Sequence, residues 1–157
     1  MKALLLSALF ALSGSAIAVE GPTQMDDLIR GEMAAVQSYD KILTTVKDAG
    51  ELRTLKAMRE DHVKAVARLK AFADKDVLED TATVGPWGTF AKAWVGGAKI
   101  FSDKTALSAL KQGEEHGVTE YKEALEDENV RADVKKVIRS ELLPKQEAHI
   151  KTLNKYL

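Results

Sequence analysis

An all-α fold, an antiparallel four-helix bundle, is predicted by three observations. The 157-residue chain is rich in the helix-favouring residues Ala, Leu, Lys and Glu. Its apolar residues recur in steps of three and four, the period of one helical face. Its turn signals divide it into two helical pairs, each joined by a short turn and separated by a long link. The length suits one domain. Lys plus Arg number 23 against 24 Asp plus Glu, a formal charge of -1, so a nucleic-acid binder working through a general basic field is excluded. With no cysteine, disulfide scaffolds, zinc knuckles, iron–sulfur clusters and thiol nucleophiles are excluded too.

The chain opens with an export pattern. Lys2 precedes the apolar run Ala3 to Leu12, and small residues end in Ala16-Ile17-Ala18. A basic start, a short apolar segment and a small-x-small site predict a signal peptide over 1–18, leaving 19–157 as one periplasmic or otherwise secreted domain. The run is shorter than the ~20 residues of a membrane span. No stable span is expected after cleavage.

The first helix is expected from Thr23 to about Asp48, with Asp26 and Asp27 in its first turn and Gly50 as a stop. Its inward stripe is Met25, Leu28 or Ile29, Glu32, Val36, Tyr39, Leu43 and Val46. The second, about Glu51 to Ala73, carries Leu52, Leu55, Arg59, His62, Val66, Leu69 and Phe72 or Ala73. The third, Asp103 to Glu126 with Ser102 as N-cap, carries Leu107, Leu110, Glu114, Gly117 or Val118, Tyr121 and Leu125. The fourth starts near Val130 and carries Val134, Ile138, Leu142, Gln146, His149, Leu153 and Tyr156, and Pro144 is expected to kink or split it. The long link, about Asp74 to Ser102, is expected to cross back along the bundle. It holds a short helix near Gly88 to Val95, and the link's aromatics Trp87, Phe90, Trp94 and Phe101 cap the core or, alternatively, form a patch for a partner or membrane surface.

The halves repeat. Gly31-Glu32 is followed by Tyr39 and Leu43, and at a constant offset Gly113-Glu114 is followed by Tyr121 and Leu125; each half then has a His on its next helix. Glu and Tyr seven residues apart share one helical face, about 10 Å apart along the axis. This pattern predicts a duplicated helical hairpin. Glu32, His62, Glu114 and His149 all stand where an apolar residue is due. A carboxylate in that position costs several kcal/mol unless it is paired or bound to a cation. Glu oxygen and His nitrogen together suit iron, manganese or zinc, with Tyr39 and Tyr121 as outer partners of the carboxylates.

These residues resemble the ferritin-like superfamily. The runs Leu28-Ile29-Arg30-Gly31-Glu32 and Lys111-Gln112-Gly113-Glu114-Glu115 are most similar to a bacterial four-helix-bundle subfamily known only as a domain of unknown function. The resemblance implies a ferritin-like bundle with a long crossover between helices two and three. It also implies a Glu-x-x-His pair on helices two and four, and there this chain departs: the positions three before the histidines are Arg59 and Gln146. A guanidinium aimed at the centre would compete with a cation. Two readings follow. In one, an exported bundle binds a single ion through Glu32, His62, Glu114 and His149, in metal handling or oxidative stress. In the other, a non-enzymatic structural or interaction protein keeps a metal-free interior network of Arg59, two glutamates and two histidines.

Overall fold

The computed structural model describes residues 24–73 and 103–157, and among them every regular element is helical. Helix α1 spans Gln24–Ile42, α2 Ala49–Lys70 and α3 Asp103–Glu126. The last rod is continuous: α4 over Ala132–Val137, a π-helical turn over Ile138–Leu142, and α5 over Leu143–Leu153. The signal segment 1–18, Thr23, the link with its aromatics and short helix, and Ser102 lie outside the described residues.

Two boundaries differ from expectation, each for a local reason. Helix α1 stops at Ile42 rather than near Asp48, because the Thr44 and Thr45 hydroxyls turn back onto the carbonyls of Lys41 and Ile42 at 2.7 and 2.9 Å. Asp48 belongs to the next helix. Its carboxylate accepts from the Gly50 and Glu51 amides, both at 2.8 Å, and so caps α2, with Gly50 inside the first turn.

Pro144 does not split the last rod. Buried Val134, Ile138, Leu142 and Gln146 follow three successive four-residue steps, each overshooting a full turn by about 40° at 3.6 residues per turn. A regular helix would swing this stripe off the core. The π turn absorbs the drift, with the Leu143 amide donating to the Ile138 carbonyl. Pro144 then falls in the first turn of α5, where a missing N–H costs nothing.

Side-chain pairs fix how the helices run. Tyr39 meets Glu114 while Tyr121 meets Glu32, so α1 and α3 are antiparallel. Asp61 meets Lys145, and Arg68 meets Glu141, so α2 runs antiparallel to the last rod. Lys104 reaches the C-terminal Leu157 carbonyl at 3.1 Å, whereas Arg131 reaches the Phe72 carbonyl at 3.5 Å. Residues 73 and 103 therefore sit at opposite ends of the molecule.

The core falls into two apolar clusters. One gathers Leu28, Ile29, Leu69, Ala124, Val134 and Ile138 near the start of α1; the other gathers Ile42, Leu55, Met58, Leu107, Leu110 and Leu153 near its end. Between them lies a polar layer of buried Glu32, His62, Glu114, Gln146 and His149. The inward stripe of α2 runs Leu55, Met58, His62, Ala65, Leu69 in alternating steps of three and four. Met58 and Ala65 thus take the slots assigned from sequence to Arg59 and Val66, each one residue further along.

Two glycines of α3 have opposite roles. A Cβ on Gly117 would lie 2.0 Å from Nε2 of buried Gln146, while a Cβ on Gly113 would meet nothing within 4 Å. Gly113→Ala is expected to stabilise the fold by about 0.5–1 kcal/mol through helix propensity. Gly117→Ala should lack this gain and recover it when Gln146 is also shortened to Ala. Urea denaturation of the three variants checks both statements.

Candidate metal centre

The titratable residues of the polar layer come one from each of four helices. Glu32 on α1, His62 on α2, Glu114 on α3 and His149 on α5 are exposed by only 5, 3, 2 and 6%. His62 lies between the two acids, its Nδ1 2.7 Å from Glu32 Oε2 and its Nε2 3.0 Å from Glu114 Oε1. The tyrosine hydroxyls cross over: Tyr39 donates to Glu114 Oε1 at 2.5 Å, and Tyr121 donates to Glu32 Oε1. Each tyrosine therefore holds the acid of the other half of the chain rather than the one on its own helix.

His149 approaches the same carboxylate from the last rod. Its Nδ1 is 3.2 Å from Glu114 Oε1, near enough for attraction but poorly aimed, so that this buried nitrogen makes no hydrogen bond. Its Nε2 lies 3.3 Å from Asp61 Oδ2, and Asp61 in turn accepts from Lys145 at 3.0 Å. The two imidazoles pack edge to face, with centroids 5.2 Å apart.

Charge follows this geometry. Burial alone would lower the His62 pKa, but Glu32 and Glu114 overcome it and raise the value from 6.5 to about 10. Burial alone would raise that of Glu114, yet the close approach of His149 and the hydrogen bond and charge of His62 bring it down to about 2. Burial, and then the adjacent carboxylate, hold both tyrosines well above the usual phenol range, so they remain donors. Partial burial works to raise Asp61, but Lys145 and His149 prevail and hold it low.

Three of the four sequence-assigned ligands converge. One ligand atom each from His62, Glu114 and His149 lies within 4.8 Å of the others, a group that could hold a metal ion. Donors about 2.1 Å from a common ion stand roughly 3 to 3.4 Å apart, close to the spacings from Glu114 Oε1 to His62 and His149. His149 Nδ1 is buried without a hydrogen-bond partner, as expected of an atom with coordination capacity to spare. Glu32 is outside this group. It sits behind His62, on the ring nitrogen that faces away from Glu114.

Arg59 is a correction. It is not aimed at the centre: its guanidinium grips Asp40 on α1 from outside, Nε to Oδ1 at 2.5 Å and Nη2 to Oδ2 at 3.0 Å. Met58 occupies the inward slot beside it, and the guanidinium stays in water, where its charge is solvated. Gln146 does lie in the layer, its amide seated against Gly117. Asp61 escaped the sequence reading. It anchors the far nitrogen of His149 from another helix, a relation that no spacing along the chain marks.

Two outcomes are expected. Against its ordinary value of 6.5, the raised His62 stabilises the fold fully below that pH and loses the contribution as pH climbs through about 10. Depressed Glu114 contributes fully above 4.5 and loses this as pH falls through about 2. Chelator-treated protein should therefore be most stable between about pH 4.5 and 6.5, measured by denaturant unfolding across pH. Tyr39→Phe and Tyr121→Phe each leave a buried carboxylate oxygen short of a donor and should cost about 1–3 kcal/mol by the same assay.

No curated protein and no solved structure matches the chain. A family model does, over a stretch that begins just before α1 and ends just after α3. That stretch contains Glu32, Tyr39, His62, Glu114 and Tyr121 and stops short of His149. By this match the chain belongs to the family described as Domain of unknown function (DUF2383), whose model covers residues 22–127.

Proposed function

We propose that this protein is an exported helical bundle that holds one transition-metal ion, iron, manganese or zinc, between His62, Glu114 and His149. The observation that carries the reading is the pair of imidazoles, each turned toward Glu114 and each backed by a second acid. Glu32 lies 2.7 Å behind His62 and Asp61 lies 3.3 Å behind His149. Such backing fixes the proton on the far nitrogen and leaves the near lone pair for a cation, the usual surroundings of a ligating histidine. Glu32 is thus a positioning residue, in place of the direct ligand expected from sequence.

When bound, the ion supplies Lewis acidity and, if it is iron or manganese, one-electron chemistry. The chain does the rest. Tyr39 and Tyr121 fix the two carboxylates, and the apolar clusters above and below keep the layer dry. His62 Nε2 would have to give up the proton it shares with Glu114 before it could hold the ion. Export rests on Lys2, the apolar run and Ala16-Ile17-Ala18. Among the described residues no helix is long and apolar enough to cross a membrane. Descent from a duplicated ferritin-like hairpin, with a long crossover between its halves, is supported by the reciprocal Glu–Tyr pairs and by the opposite placement of residues 73 and 103.

A second reading is favoured by one observation, the hydrogen bonding of both His62 nitrogens to acids. There the layer is a metal-free ion network within a structural or interaction protein, and Arg59 has no part in it. Tag-free protein, stripped with chelator and reloaded with Fe2+, Mn2+ or Zn2+, separates the two by elemental analysis. One ion per chain is expected, lost in His149→Ala and unaffected by Arg59→Ala. Glu32→Gln should keep the stoichiometry and weaken affinity about 10- to 100-fold. No uptake by the parent chain would establish the ion network instead.

A further inference from the structure

On the face away from His149, a cleft runs between α1 and α3 with Glu114 at its floor. It exists because both helices present small residues there. Gly31 and Ala35 line it on α1, and Ala109 and Gly113 line it on α3. Above Gly113 the space is open even where a first side-chain carbon would stand. Its lining extends from Leu28 to Tyr39 along α1, about 16 Å at 1.5 Å per residue. The cleft is elongated, with mostly apolar walls.

Its charged groups share one sign. Glu32, Glu114 and Glu120 line it, and no Lys, Arg or His does so among the described residues. The two oxygens of Glu114 are unequally served. Oε1 takes the Tyr39 hydroxyl and His62 and lies beside His149, whereas buried Oε2 has no hydrogen-bond partner. Glu114 thus keeps one buried acceptor in want of a donor, on a residue that lines the apolar slot.

We propose that this cleft is a binding site for a linear aliphatic primary amine, its ammonium group on Glu114 Oε2 and its hydrocarbon chain along the glycine-lined walls. A cation supplies both the donor and the charge that the floor lacks. A straight methylene chain suits an elongated slot with mostly apolar walls. Carboxylate ligands are repelled, and neutral alcohols supply a donor without the charge. The site does not depend on the metal reading, since Oε1 is the Glu114 oxygen that faces both imidazoles.

The test uses chelator-treated, full-length protein, so its outcome carries no information about metal uptake. Hexylamine, 1-hexanol and hexanoate are titrated and followed by calorimetry and by the backbone amide resonances of Gly31 and Gly113. Saturable binding of one hexylamine per chain is expected, with hexanol at least tenfold weaker and hexanoate not bound. Gly113→Leu should fill the slot and weaken amine binding at least tenfold while helicity and melting temperature hold, and Glu114→Gln should weaken it similarly. Failure of hexylamine to saturate would overturn the proposal. So would hexanoate binding as tightly as the amine, or Gly113→Leu binding it as well as the parent.

Discussion

Two carboxylates enclosed in a helical interior must be answered by charge and by donors, and one imidazole set between them does most of this. His62 takes Glu32 on one nitrogen and Glu114 on the other. Each acid then receives a phenol from the opposite helix. The arrangement works only if α1 and α3 lie antiparallel at one register, because a slip of a single turn would part both Glu–Tyr pairs at once. The polar layer is thereby a register device as well as a charge balance. Two dry clusters, one at either end, supply the apolar burial that holds it closed.

The site's chemistry depends on what stands behind each imidazole. Without Glu32 and Asp61, either ring could turn or move its proton to the wrong nitrogen. With them, both near nitrogens face Glu114. The layer also has two unlike sides. The α1–α3 side is small, apolar and acidic, while the opposite side carries Lys145 and Asp61 in partial contact with water. Gln146 lines both openings and rests on Gly117 where they approach each other.

Much of this was legible in the residues. The stripe of the last rod, from Val134 through Gln146 and His149 to Leu153, is buried as its apolar pattern foretold, though the π turn that keeps it in phase was not. The four titratable residues do share one layer, because a charged residue in an apolar slot is a strong signal. Arg59 was misplaced because Met58 and Arg59 fit a three-four stepping equally well, and only packing against α1 decides between neighbours 100° apart. The end of α1 was missed because threonine hydroxyls compete with the helix locally, against favourable flanking residues. Asp61 was missed because anchoring an imidazole on another helix is a relation in space, with no spacing to betray it. The second acid's place behind His62 rather than beside the other donors was hidden for the same reason.

The widened turn at Ile138–Leu142 sets the phase of everything that follows it in the chain. Pro144 defends that phase: in an ordinary helix its ring would press on the Ser140 carbonyl and leave it without a donor. The aim of His149 is therefore quantised. Its direction cannot drift by degrees as surrounding side chains change, for the backbone offers only whole-residue increments. The distal rod behaves as a dial with a single useful setting, turned by gaining or losing one residue some two turns away from the atoms that benefit.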